Sequence, residues 1–166
     1  MNKKFTLAII TLSDKGYRKE RIDKSGPLIK EIMKTSREYS TIFEEILPDD
    51  FLLIKEKLEY LCDVQRVNLI LTTGGTGFSP RDITPEATLA VAHRNVPGIS
   101  EIMRANSFSI TNRAVLSRGV SVIRNRTLII NLPGSPKGVK ENLEFILPSL
   151  SHGLNILLQD EKECGE

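Results

Sequence analysis

Short apolar runs alternate along the chain with stretches whose apolar positions recur at helical spacing. Phe5–Leu12 is apolar, β-branched and closed by Ser13-Asp14-Lys15-Gly16, the pattern of a buried strand running into a turn. Ser25-Gly26-Pro27 opens a helix through about Lys34, with Leu28, Ile29, Ile32 and Met33 on one side. Thr41–Leu47 reads as a second strand, and Pro48-Asp49-Asp50 starts a helix carrying Leu53, Ile54, Leu58 and Leu61. Val67–Thr73 reads as a third strand leading into Gly74-Gly75-Thr76-Gly77. Thr84-Pro85-Glu86 has the signature of a helix start, with a Thr cap, Pro in the first turn and an acid near the positive end. That helix is expected to run to about Asn95, before Pro97-Gly98, and another to cover Gly98–Asn106. Ala114–Ser117 and Ser121–Arg124 flank Arg118-Gly119 as an expected hairpin. Thr127–Leu132 is the last core strand. Ser135-Pro136 opens a helix with Val139, Leu143, Ile146 and Leu147 inward, and a separate helix is expected over Ser149–Leu158.

Strands alternating with helices predict an α/β chain, a mainly parallel sheet between two helical layers with a small β-hairpin. Such sheets bind ligands at the carboxyl ends of their strands. Four polar turns fall there: Ser13-Asp14, Pro48-Asp49, Gly74–Asp82 and Asn131–Pro136. Neither repeat nor linker interrupts the pattern, so residues 1–158 read as one domain and 159–166 as a charged tail.

Composition narrows the function classes. The 166 residues are 40% hydrophobic and 27% charged, ordinary for a globular protein and unlike a disordered one. Twenty-three Lys and Arg against 21 Asp and Glu give a net charge of +2, which argues against a nucleic-acid partner. The span from Arg94 to Arg126 nevertheless holds six Arg and one acid, Glu101, and reads either as a steering field for anions or as a solvated or subunit-contact face. Lys3 and Lys4 before Phe5–Leu12 imitate a short secretory signal, but Asp14 and Lys15 follow with no small-residue cleavage site. No apolar stretch approaches the ~20 residues that cross a bilayer, so a cytoplasmic protein without membrane contact is expected. Cys62 and Cys164 are too few for a disulfide framework, and His93 and His152 lack metal-ligand spacing.

The most informative segment runs from Leu71 to Asp82. Gly74, Gly75 and Gly77 permit positive φ and let backbone N–H groups approach an anion, without the lysine of a P-loop or the glycine spacing of a Rossmann turn. Asp82 follows beside a helix start where a metal-bound phosphate fits. Asp49 is the second carboxylate of interest, either as a cap for the helix near Phe51, in competition with Asp50, or as a partner of Asp82 in holding Mg²⁺. Ser135-Pro136 reads equally as a plain helix start and as an anion site.

These segments resemble the molybdenum-cofactor biosynthesis family of MogA and MoaB proteins, which also includes a domain of animal gephyrin. The likeness is densest over Thr72–Thr88, TTGGTGFSPRDITPEAT, and is supported by Ser13-Asp14, Asp23–Gly26, Leu47–Asp49, Leu116–Arg118 and Asn131–Pro136. The resemblance implies a three-layer α/β/α domain that assembles as a homotrimer or homohexamer and meets other molybdenum-cofactor proteins. It implies molybdopterin adenylyltransferase activity with ATP and molybdopterin as substrates and Mg²⁺ as cofactor. Compact MoaB-type members that bind molybdopterin without adenylylating it are the alternative. The family's essential acids correspond to Asp49 and Asp82; Asp82 reads as a metal ligand and Asp49 as a metal ligand or a substrate-positioning group. Its nucleotide and pterin pockets correspond to Ser13 and Asp14, to Thr73, Gly74, Gly75, Thr76 and Gly77, and to Pro133, Gly134, Ser135 and Pro136.

Overall fold

The computed structural model describes residues 5–159. Lys3, Lys4, Cys164 and all but the first residue of the expected 159–166 tail lie outside that range. The elements are β1 (Phe5–Leu12), α1 (Asp14–Tyr17), α2 (Ser25–Thr35), β2 (Tyr39–Leu47), α3 (Phe51–Glu59), β3 (Leu69–Thr73), α4 (Thr84–Val91), β4 (Arg94–Asn95), α5 (Pro97–Phe108), β5 (Ser121–Arg124), β6 (Thr127–Leu132) and α6 (Pro136–Leu158). A π-helical turn, Tyr60–Val64, extends α3, and a 3₁₀ turn, Asn112–Leu116, follows α5. The six strands form one sheet in the order β2-β1-β3-β6-β5-β4. The first four are parallel, while β5 and β4 run antiparallel at one edge.

Side chains alternate across the strands and build two cores. Leu7, Ile9, Leu69, Leu71, Leu128 and Ile130 face Ile29 and Met33 of α2, Met103 of α5, and Val139, Leu143 and Leu150 of α6. Ala8, Ile10, Ile70 and Ile129 face Ile54 and Leu58 of α3 and Ala87 and Val91 of α4. This is a three-layer α/β/α sandwich. Central strands buried on both faces explain why their sequences read as continuous apolar runs. Each fully buried aliphatic side chain stabilises the fold by about 1.5–3 kcal/mol.

The helices that follow β1 and β3, α2 and α4, lie on opposite faces, so β1 leads to one layer and β3 to the other. The adjacent ends of β1 and β3 therefore diverge, and in a doubly wound sheet that divergence opens a ligand crevice. The register aligns these ends, with Leu12 opposite Leu47, Thr11 opposite Thr73, and Thr73 opposite Leu132.

Three expectations are corrected. The helix after Thr84 ends at Val91, because His93 and Val96 donate backbone hydrogen bonds to Ile123 O and Ser121 O and draw this stretch into the sheet edge. The hairpin joins β5 and β6 through Asn125 and Arg126, with Asn125 at φ 50°, whereas the expected first arm forms the 3₁₀ turn. Ser149–Leu158 continues α6 through Pro148, since Ile146, Leu150 and Leu154 keep one buried stripe in phase across the proline.

Candidate functional site

Four strand ends deliver the site. After β3 the chain turns through Gly74 at φ 97° and Gly75 at φ 65°. A Cβ on Gly74 would lie 2.3 Å from Leu12 O, so the absence of a side chain lets the loop pack against the end of β1. A Cβ on Gly75 would come within 2.2 Å of Thr84 Oγ1 and 3.0 Å of Asp49 Oδ1. Asp49 thus faces the first part of the loop. Asp82 faces the second part, its Oδ2 lying 2.9 Å from the Cβ position of Gly77.

Asp50, not Asp49, caps α3, accepting a hydrogen bond from Leu53 N at 3.0 Å. Asp49 is instead locked to Asp14. Asp14 N donates to Asp49 Oδ2 at 3.1 Å, and Asp49 N donates to Asp14 Oδ1 at 3.0 Å. Asp49 Oδ1 is buried and has no hydrogen-bond partner. Burial is the main influence on Asp49 and raises its carboxyl above the ordinary range, opposed by the Asp14 N–H and reinforced by the charges of Asp14 and Asp82. Asp14 moves the other way. Arg81 grips it with Nε and a terminal nitrogen, both at 2.9 Å, and these bonds hold its carboxyl below the ordinary range against a smaller burial effect.

The remaining turns are braced around this centre. Thr73 Oγ1 donates to Pro133 O at 2.6 Å, and Ser25 Oγ donates to Gly134 O at 2.8 Å. Ser13 caps α1 through Gly16 N, and Ser135 caps α6 through Gly138 N. Thr84 does not cap α4 with its side chain. Its hydroxyl donates to Gly74 O at 3.0 Å, and Ile83 occupies the cap position. Beneath the loop, Asn131 Nδ2 donates to the hydroxyls of Thr72 and Thr88 at 2.9 and 3.0 Å, forming a buried polar knot.

Two cavities flank the Pro133–Pro136 turn. One, about 340 Å³, lies between α5, the 3₁₀ turn and the start of α6, and is lined in part by Thr76, Gly77, Pro133 and Ser135. Arg104, Arg113 and Lys137 also line it, with Glu141 3.8 Å from Lys137, and this net positive lining suits an anionic occupant. The other, about 330 Å³, is lined by Ser13, Gly134 and Pro136 together with Arg21 and Lys24. Asp49 and Asp82 line neither cavity.

Residues 8–152 match the family described as "Probable molybdopterin binding domain", within molybdenum-cofactor biosynthesis. The chain belongs to this family. The molybdopterin adenylyltransferase of Helicobacter pylori strain 26695 is 37% identical over 164 residues, covering 96% of this chain and 92% of that protein. The Drosophila melanogaster molybdenum cofactor synthesis protein cinnamon is 37% identical over 155 residues, and the match spans 93% of this chain but only 26% of that longer protein. The crystal structure of the molybdopterin biosynthesis enzyme MoaB from Thermus thermophilus superposes with a TM-score of 0.87 at 46% identity, covering 92% of this chain and 96% of that one.

Within this fold, all the turns expected from sequence converge on the carboxyl edge of the sheet, but they divide among three places. Asp14, Asp49 and Asp82 lie about the loop at Gly75; Thr76, Gly77, Pro133 and Ser135 join the first cavity; Ser13, Gly134 and Pro136 join the second. Sequence reasoning missed Arg104, Ser107, Thr111 and Arg113 as lining residues. Their signal was the excess of Arg over acid from Arg94 to Arg126, which is equally typical of a solvated face. It also missed Arg81 as the partner of Asp14. Among the described residues no three His, Cys, Asp or Glu side chains gather where they could hold a metal ion. The carboxylates that could take a cation beside a bound phosphate are Asp49, whose Oδ1 is unpartnered, and Asp82, whose charge acts on Asp49.

Proposed function

We propose that this protein is a molybdopterin adenylyltransferase that transfers AMP from ATP to the terminal phosphate of molybdopterin and releases pyrophosphate. The observation that carries this reading is Asp49 Oδ1, buried and unpartnered beside a positive-φ glycine loop, with a cation-lined cavity at the other end of that loop. A desolvated carboxylate oxygen without a donor has most to gain from a cation, and a cavity lined by Arg104, Arg113 and Lys137 attracts a phosphorylated ligand.

In the reaction, an oxygen of the molybdopterin phosphate bonds to the α-phosphorus of ATP. The bond from that phosphorus to the bridging oxygen breaks, and pyrophosphate carries away the electron pair. The attacking phosphate is already ionised near neutral pH, so no side chain has to remove a proton. Asp49 and Asp82 would hold Mg²⁺, whose charge offsets repulsion between the two anions and stabilises the leaving pyrophosphate. Backbone N–H groups of the Gly74–Gly77 loop orient the nucleotide phosphates, and the cavity beside Ser135 and Lys137 receives the pterin phosphate.

Purified protein incubated with molybdopterin, Mg²⁺ and ATP is expected to yield adenylylated molybdopterin by mass spectrometry. Asp49→Ala and Asp82→Ala are each expected to reduce turnover by at least ~100-fold with retained circular dichroism. No product from folded protein that still binds molybdopterin would replace this reading with pterin binding without turnover. We further propose a single domain, assembly as a homotrimer or homohexamer, contact with other molybdenum-cofactor proteins and a cytoplasmic setting. Sedimentation velocity tests the assembly state. No helix of the described residues is long and apolar enough to cross a membrane.

A further inference from the structure

Asp82 sits on a nine-residue excursion, 76–84, with few internal bonds. Asp82 N donates to Ser79 O at 2.8 Å, and Ser79 N donates to Asp82 Oδ2 at 3.1 Å. Thr84 closes its base locally, donating its N–H to Gly75 O at 3.1 Å and its hydroxyl to Gly74 O, and a second set of bonds across its ends comes from a distant segment. Arg118, between the 3₁₀ turn and β5, donates its backbone N–H to Thr76 O at 2.9 Å. Its Nε donates to Gly77 O at 2.8 Å, and one terminal nitrogen donates to Asp82 O at 2.7 Å. The other terminal nitrogen pairs with Glu86 in the first turn of α4. One half-buried side chain thereby spans both ends of the loop that presents Asp82.

Arg118 does not itself line the cavity of about 340 Å³ but sits between two residues that do. Its neighbours Ser117 and Gly119 line that cavity with Thr76 and Gly77, and Arg104 donates to Gly119 O at 2.8 Å. The planar guanidinium offers donors in fixed directions and meets three acceptors here, which the single ammonium of lysine cannot reproduce. Breaking these bonds leaves the loop held only at its Thr84 base, without opening either hydrophobic core.

We infer that Arg118 is a positioning residue, clamping the 76–82 loop so that the Asp82 carboxylate is held beside the pterin cavity. Its kinetic consequence rests on the adenylylation reading; the clamp itself does not. In Arg118→Lys and Arg118→Met, peptides covering residues 76–86 are expected to exchange amide hydrogen at least 10-fold faster, while peptides from β1 and β2 exchange as in wild type. The same variants are expected to lose about 10–100-fold in kcat, the range typical of supporting residues around a metal. Their KM for molybdopterin should stay within about threefold, and the Mg²⁺ concentration giving half-maximal rate should rise. Arg118→Lys keeps the charge, so failure of lysine to restore kcat separates the fork geometry from simple electrostatics. Wild-type protection of the loop in both variants would overturn the clamp. Lost protection with unchanged kcat would overturn its positioning role. Should wild-type protein not adenylylate molybdopterin, the exchange measurement still tests the clamp, so the two failures are distinguishable. Arg118→Lys serves alone if the methionine variant does not fold.

Discussion

Asp49 is the residue at which stability and the proposed activity pull apart. Its native carboxyl has a raised pKa because burial disfavours the charged form. The native state therefore binds the Asp49 proton more tightly than the unfolded state, and stability falls as pH rises from the ordinary value of 3.8 through the raised one. Above that window the cost is fully present. Asp49→Asn removes the charge while retaining an oxygen that can accept from Asp14 N. The variant is expected to melt no lower than wild type at pH 7, to lose this advantage below about pH 4, and to show at least ~100-fold lower turnover. A large loss of melting temperature at pH 7 would assign Asp49 a structural role instead. Asp14 has the opposite sign. Its carboxyl, held low by Arg81, contributes stability above the ordinary value that is lost as pH falls through the lowered one.

Among the elements, the glycine loop is the one whose backbone tolerates least. At Gly75, φ is 65° and an added Cβ would meet Thr84 Oγ1 at 2.2 Å. Gly75→Ala is expected to cost about 1–3 kcal/mol in denaturant melts. It should also displace Asp49 and so depress turnover. Gly153, inside α6 with nothing within 4 Å of an added Cβ, is the control. Gly153→Ala is expected to gain up to ~1 kcal/mol from helix propensity alone. Comparable losses at the two positions would show that the loop conformation is not under steric constraint. The contrast also explains what sequence could and could not indicate about elements. Three glycines after an apolar run announce a loop, yet only the register of β1 against β3 reveals that Gly74 abuts Leu12 O. Thr84-Pro85-Glu86 announced the start of α4, although Thr84 turns its hydroxyl to Gly74 O instead of capping the helix. Its stop at Val91 depended on β5, whose backbone competes for residues 93–96. Local propensity carries no information about such a competitor.

For the whole molecule, the decisive feature is the sheet order, which places β1 and β3 side by side while their connections leave on opposite faces. The cores on those faces should open together. Cys62, buried in the π turn with burial pushing its thiol up to about 11, reports this directly. In peptide-resolved iodoacetamide labelling at pH 8, Cys62 is expected to remain unmodified in native protein and to react only as the fold opens. Rapid labelling under native conditions would mean that the α3 layer opens independently.

By itself the sequence determined every strand but the short edge strand β4, most helices, the three-layer class and the convergence of four polar turns at one sheet edge. Those features follow from local periodicity, turn chemistry and the rule that parallel sheets bind at their carboxyl ends. Motif likeness also pointed to Asp49 and Asp82. Tertiary structure decided which of two adjacent aspartates caps α3, leaving Asp49 Oδ1 unpartnered. It decided that Arg81 serves Asp14, that Arg118 closes the Asp82 loop, and that part of an apparently solvated arginine-rich stretch lines a cavity. The physical reason is range. Helical and strand periodicity and capping act within a few residues, whereas a side chain's partner is set by contacts 36 or 67 positions away. Those contacts exist only once the strands have paired.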